Sequence, residues 1–206
     1  DMMAKLLTDS LHPVQIVWSR QLGLLIGIVV YLLFRGFSVL KTKHLTLQII
    51  RGLLAASSAT LFIMAVAYVP LADAVAVSFI APFIVTLMGA LILKEKVGIR
   101  RWSAVIIGFV GTLIVIRPGL GVVHPAVMLV MLAASFFAMR QVISRALSNT
   151  DKTVTTVAYT ALAGSLVLSI PLPFVWQWPT TNQEIVLLAS IAIMAAAAEI
   201  LVIKAL

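Results

Sequence analysis

Seven runs of roughly 20 apolar residues, joined by short polar connections, occupy most of this 206-residue chain. A helix that crosses a bilayer needs about 20 such residues, because each adds about 1.5 Å to a hydrocarbon core about 30 Å thick. The runs lie at about 14–34, 47–69, 72–93, 101–117, 125–147, 154–175 and 185–206. Hydrophobic residues make up 62% of the chain and charged residues 11%, more apolar surface than a soluble domain can cover. The sequence therefore predicts an all-α polytopic membrane protein. Pro13 and Pro125 suit first helical turns, Pro118-Gly119 ends the fourth run, and Pro171, Pro173 and Pro179 interrupt the end of the sixth.

Lys and Arg alternate between the connections. Arg35, Lys41, Lys43 and Arg51 surround the first, and none lies near Pro70 to Asp73. Lys94, Lys96, Arg100 and Arg101 mark the third, and only Arg117 the fourth. Arg140, Arg145 and Lys152 mark the fifth, and none lies between Gln177 and Glu184. Basic connections stay in the cytoplasm, so the first, third and fifth face inward and the first run enters from outside. The formal charge of +8 is thus a feature of short loops, not of one solvated face, and nucleic acid is not an expected partner.

The two halves resemble each other. Residues 1–66 slide onto 141–206 without a gap, at an offset of 140. Val14 then meets Val154, Leu22 meets Leu162, Phe34 meets Phe174, and Ala55-Ala56 meets Ala195-Ala196. The offset spans five runs, an odd number, so matched segments point in opposite directions, as in inverted-topology repeats. Counting matched runs gives an inverted repeat of two five-helix units, about seven transmembrane helices of an expected ten. Residues 1–122 form the first unit, with its first helix mostly missing, and 123–206 the second, cut short at its C-terminal end. The chain reads as a fragment of a longer protein.

Residues 61–119 carry the most specific motifs. Ala65-Val66-Ala67-Tyr68-Val69-Pro70-Leu71-Ala72-Asp73-Ala74 leads into Phe79-Ile80-Ala81-Pro82. Leu93-Lys94-Glu95-Lys96, Trp102, Gly108 and Arg117-Pro118-Gly119 follow. On these motifs the chain resembles the EamA-type transporters of the drug/metabolite transporter superfamily. The resemblance implies ten helices in two inverted units and transport of a small organic molecule. It implies no particular substrate, because the family handles amino acids, vitamins, nucleotide-like metabolites and amphipathic drugs.

If the chain transports, polar groups within the runs are the candidates for a substrate pathway, since an ionisable group at a helix centre costs about 2.5–3.5 kcal/mol on insertion scales. Arg20 lies about 10 Å below the outer end of the first run, where related carriers often have Arg. It would attract an anionic group, or else snorkel to the interface. Glu199 lies about 22 Å beyond Glu184, in the inner half of the last run. It would bind a cation or a coupling proton, or pair structurally with Arg140 at a similar depth. Tyr68 and Tyr159 would line the cavity or serve as packing and interface aromatics. Pro82 would make a hinge or a static kink in the third run. Asp73 is expected to cap that run, Lys204 to snorkel, and Glu95 to stay among basic loop residues.

Gly23 and Gly27, Gly108 and Gly111, and Ala195 to Ala198 form small-residue faces. Packing within one subunit is the favoured use, and a homodimer surface the alternative. The three histidines fall at run ends, and no paired acids or HExxH motif accompany them, so an enzyme is not expected. Lys204 is too close to a run end for a retinal Schiff base, and no channel filter is visible. There is no cysteine and no P-loop, so no cofactor is expected and coupling would be to a gradient or to exchange. The sequence thus points to a secondary carrier in the lipid bilayer of a bacterial inner membrane. Its partner is a small-molecule substrate, and rocking around a midplane site gives alternating access. Export of an amino acid or related metabolite is the first reading, and uptake of a vitamin or nucleotide-like compound the second.

Overall fold

The computed structural model describes residues 2–92, 94, 97–116, 124–148 and 150–205, with 101, 112, 113, 115, 116, 199, 200 and 202–205 described by backbone alone. The chain is all-helical among the described residues. In order the helices are α1 (Met2–Leu7), α2 (Pro13–Arg35), α3 (Leu45–Tyr68), α4 (Leu71–Ser78), α5 (Ala81–Ile92), α6 (Ile99–Ile116), α7 (Val127–Leu147), α8 (Thr153–Ser169), α9 (Leu172–Val175) and α10 (Asn182–Ala205). On their described residues, Pro13–Arg35, Leu45–Tyr68, Leu71–Ile92 and Val127–Leu147 are long and apolar enough to cross a membrane. Trp102–Gly111, Thr153–Ser169 and Asn182–Ala198 are shorter apolar segments. The Arg117-Pro118-Gly119 turn, Leu93, Glu95 and Lys96 lie outside the described residues.

Local chemistry sets the helix ends. His12 caps α2, its Nδ1 accepting from the Val14 N–H at 3.3 Å, and Pro13 fills the first helical position, where no N–H is needed. Gly36 ends α2 at φ +81, a left-handed value that suits a residue without Cβ, and its N–H bonds the Leu32 carbonyl at 2.7 Å. Pro82 does more than bend the third run. It cannot donate to the Ser78 carbonyl and its ring would clash there, so the helix stops at Ser78, turns through Phe79-Ile80 and restarts at Ala81. Asp73 is not the cap expected from the sequence. Pro70 holds the cap position in extended backbone, and Asp73 sits in the first turn, where its charge meets the positive end of the helix.

Helices matched by the offset of 140 run in opposite directions. The start of α2 lies beside the end of α8, where Trp18 Nε1 donates to Ser169 Oγ at 2.9 Å. The start of α8 lies beside the end of α2, where Thr155 Oγ1 and Tyr159 Oη donate to the Val39 and Leu40 carbonyls at 2.6 and 3.0 Å. Lys41, Lys43, Arg145 and Lys152 therefore gather at one end of the bundle, here called the basic end. Tyr68, His124 and Gln177 mark the distal end.

Small residues let the helices approach. A Cβ on Gly23 would lie 2.6 Å from the Ala192 Cα, and one on Gly27 would lie 3.2 Å from the Ala196 Cβ. The Gly23–Gly27 face is therefore occupied by α10 of the same chain. A Cβ on Gly52 would meet the Ala163 Cβ at 2.7 Å, bringing α3 onto α8. Close backbone packing of this kind is what holds helices together where lipid is as apolar as leucine.

Candidate functional site

A cavity of about 330 Å³ opens between α2, α3, the α4–α5 break and α7. Most of its wall is small or apolar: Ala55, Ala59, Ala81, Ala133 and Ala134. Against that wall stand two guanidinium groups, Arg20 from α2 and Arg140 from α7. Counting along the helices from the distal end, Arg20 lies at a depth of about 10 Å and Arg140 at about 20 Å. Phe62 and Phe137 line the same space. The Arg140 Cζ sits 4.9 Å from the centre of the Phe137 ring, a cation–π distance. Ser58 and Ser78 add hydroxyls; Ser58 Oγ donates to the Ala133 carbonyl at 2.8 Å and pins α3 to α7. Arg20 also borders a second space of about 380 Å³, shared with Met2, Ile191 and Met194, so it stands between two voids.

The arrangement can hold a molecule with an anionic or zwitterionic group and a flat apolar part. Arg20 is exposed and Arg140 half-buried, so both stand where an anionic group can reach them, and a planar guanidinium suits carboxylate or phosphate. No group of three or more His, Asp or Glu that could hold a metal occurs among the described residues.

Of the residues predicted from sequence, Arg20 and Arg140 share this cavity. Ala81 lines it, while its neighbour Pro82 is exposed and acts by breaking the helix beside it. Tyr68 is 66% exposed at the distal end and stacks on His124, with ring centroids 5.8 Å apart. Tyr159 spends its hydroxyl on the Leu40 carbonyl at the basic end. Neither tyrosine lines the cavity. The side chain of Glu199 lies outside the described residues.

A polar cluster at the basic end lies beyond the residues expected from the sequence. Asp151 Oδ2 accepts from Thr42 Oγ1 and from Gln48 Nε2, both at 2.6 Å. Gln48 is fully buried and also reaches Thr156 Oγ1 at 3.1 Å. Arg51 belongs to α3 rather than to the loop it was counted with. Its Nε donates to Ser144 Oγ at 2.6 Å, and its Nη1 reaches Thr160. At the distal end Gln15, also fully buried, exchanges two bonds with the backbone of Gln177. Its Nε2 donates to the carbonyl at 2.8 Å, and its Oε1 accepts from the N–H at 3.0 Å. There too, Lys5 Nζ donates to the Val66 carbonyl near the end of α3 and so meets the negative end of that helix. The buried amides Gln15 and Gln48, inside apolar runs, were the available signal, and attention to ionisable groups alone misses them.

An all-helical bundle among the described residues, with long apolar helices around a cavity that two arginines line, fits an integral multi-pass membrane protein. Residues 1–117 match the EamA-like transporter family, and the chain belongs to it. It is 26% identical over 188 residues to the S-adenosylmethionine uptake transporter of Rickettsia prowazekii, covering 91% of this chain and 64% of the relative. It is 32% identical over 170 residues to the riboflavin transporter of Vibrio cholerae, covering 81% and 56%. To the pseudopaline exporter of Pseudomonas aeruginosa it is 27% identical over 209 residues, covering 98% and 72%. The chain thus spans less than two thirds of the length of the first two relatives. No solved structure matches it.

Proposed function

We propose that the protein is a secondary carrier of the bacterial inner membrane for a small organic metabolite that combines a flat ring with an anionic or zwitterionic group. The observation that carries this reading is that Arg20 and Arg140 line one cavity together with Phe62 and Phe137. Import of a nucleotide-like or vitamin-like compound is the preferred direction, supported by the S-adenosylmethionine uptake and riboflavin relatives. The pseudopaline exporter relative favours a second reading, export of an amino-acid-like metabolite.

In this reading the two units, divided at residues 122 and 123, rock about the cavity and expose it alternately to the two sides. Arg20 draws the negative group in from the outer side. Glu199 is assigned the coupling role on its sequence position alone, as an acid within an apolar run, exchanging a proton or pairing with Arg140 as the cavity switches.

The test is uptake, and resistance to toxic analogues, in cells expressing the full-length protein, with S-adenosylmethionine and riboflavin as first probes. A transported probe is expected to lose about tenfold or more in rate in Arg20→Ala and in Arg140→Ala, the scale of one charge-assisted hydrogen bond. Glu199→Gln is expected to reduce dependence on the proton gradient. Wild-type transport in Arg20→Ala and Arg140→Ala would remove the site assignment.

A further inference from the structure

The two units are joined at opposite ends of the bundle by side-chain-to-backbone bonds that occupy matched positions. At the distal end, Gln15 in the first turn of α2 grips the backbone of Gln177, in the connection before α10. Its counterpart at an offset of 140 is Thr155, in the first turn of α8. Thr155 donates at 2.6 Å to the carbonyl of Val39, in the connection before α3. Strict symmetry would send that bond to Phe37, the counterpart of Gln177, so the two connections are gripped within two residues of equivalent places. Gln15 is 0% exposed and Thr155 is 1% exposed. Both are polar groups placed where apolar ones would cost less, and each is fully engaged with the other unit.

Between these two grips the units touch through another matched pair. Gly23 lies against Ala192, and Ala163 lies against Gly52. Each residue of the second contact is the counterpart of one in the first, with glycine and alanine exchanged. Neither crossing carries a side chain large enough to interlock, so each permits rotation without unpacking.

We propose that Gln15 and Thr155 are a matched pair of latches, the first closing the distal end and the second the basic end, with the Gly–Ala crossings as the fulcra between them. The proposal rests on the carrier reading and assigns its gates. Releasing one latch loosens its end while the other holds; at the basic end the Thr42–Asp151, Gln48–Thr156, Arg51–Ser144 and Tyr159–Leu40 bonds have to part with it. Gln177 is exposed, so its backbone groups find water when the distal latch opens, which keeps the cost of opening small.

These 206 residues contain no cysteine, and with any cysteine elsewhere in the full-length protein replaced by serine, one introduced thiol reports without interference. Ala55→Cys on the cavity wall would be labelled with a membrane-impermeant maleimide in right-side-out and in inside-out vesicles of the full-length protein. Adding Gln15→Met is expected to raise the ratio of outside to inside labelling about tenfold, the factor carried by roughly one net hydrogen bond. Adding Thr155→Val is expected to lower it by a similar factor, and Thr155→Ser, which keeps the hydroxyl, to restore the parent ratio. Should Gln15→Met fail to fold, Gln15→Asn keeps the amide but shortens its reach and is expected to act in the same direction.

Shifts in the same direction for both latches, or unchanged ratios in a parent that transports, would overturn the latches and leave the carrier reading standing. Labelling from one side only in the parent and in every variant would overturn both.

Discussion

Gly23 and Ala192 meet so closely that a Cβ on the glycine would stand 2.6 Å from the alanine Cα. The same relationship recurs between Ala163 and Gly52, their counterparts 140 residues away, where a Cβ on Gly52 would meet the Ala163 Cβ at 2.7 Å. An offset visible in the sequence as scattered identities is therefore a relationship between contacts. The second crossing allows a compensating exchange. Gly52→Ala is expected to destabilise by about 1–3 kcal/mol through overpacking. Adding Ala163→Gly should recover part of that loss by removing the tightest contact, while the Tyr159 carbonyl at 3.1 Å remains. Thermal unfolding in detergent would read both, and additive losses would contradict the contact.

The polar cluster around Asp151 predicts a second effect. Its carboxylate ties the connection before α3, through Thr42, to α3 itself, through Gln48. Asp151→Ala would leave the amide of Gln48 deprived of one acceptor in a fully buried position. A loss of about 1–3 kcal/mol is expected, the scale of an unsatisfied buried donor. Replacing exposed Asp9 should change stability by about 0.5 kcal/mol or less. Equal effects at the two positions would mean that the cluster contributes nothing.

The two tyrosines separate packing from the hydroxyl. Tyr68→Phe keeps the ring that stacks on His124 and should be silent in stability and transport. Tyr159→Phe loses the bond to the Leu40 carbonyl and should cost about 1 kcal/mol while leaving substrate affinity unchanged. A change in substrate affinity on Tyr159→Phe would place that residue in the substrate pathway.

How much of this was legible beforehand follows from which signals a sequence carries. The helices were legible because a bilayer demands long apolar runs. Their directions were legible because Lys and Arg cluster in alternate connections. Arg20 and Arg140 were each legible as an ionisable group within an apolar run, but not that they line one cavity. The break at Phe79-Ile80 was only half legible: Pro82 announces a lost bond, but whether the helix bends or restarts depends on packing around Ser78 and Ala81. The latches were not legible. Gln15 and Thr155 carry no charge and bond to backbone 162 and 116 residues away, and the same backbone groups exist at every position.

Glu184 gives a pH-dependent prediction at the distal end. The Ser10 hydroxyl, the N–H of Thr180 at 2.8 Å and that of Thr181 at 3.3 Å hold its carboxyl below the usual carboxylate range. A carboxyl lowered on folding stabilises the fold above its unfolded value, and that contribution fades as pH falls through the folded value. The anchoring of α10 to the segment before α2 should therefore weaken in acid. Hydrogen exchange at Thr180 and Thr181 should rise as pH is lowered, after correction for intrinsic rates, and Glu184→Gln should flatten that response. A flat profile in the wild type would contradict the assignment.

The inversion of the two units is the claim on which the cavity, the latches and the carrier all depend, and sidedness of labelling tests it most directly. Phe37 and Trp178 are 66% and 79% exposed, in connections at opposite ends of the bundle. In a background freed of any cysteine outside these residues, single substitutions Phe37→Cys and Trp178→Cys would be treated with an impermeant maleimide in sealed vesicles of known orientation. The account predicts labelling of position 37 from the cytoplasmic side only and of position 178 from the outer side only. Labelling of both from the same side would contradict it.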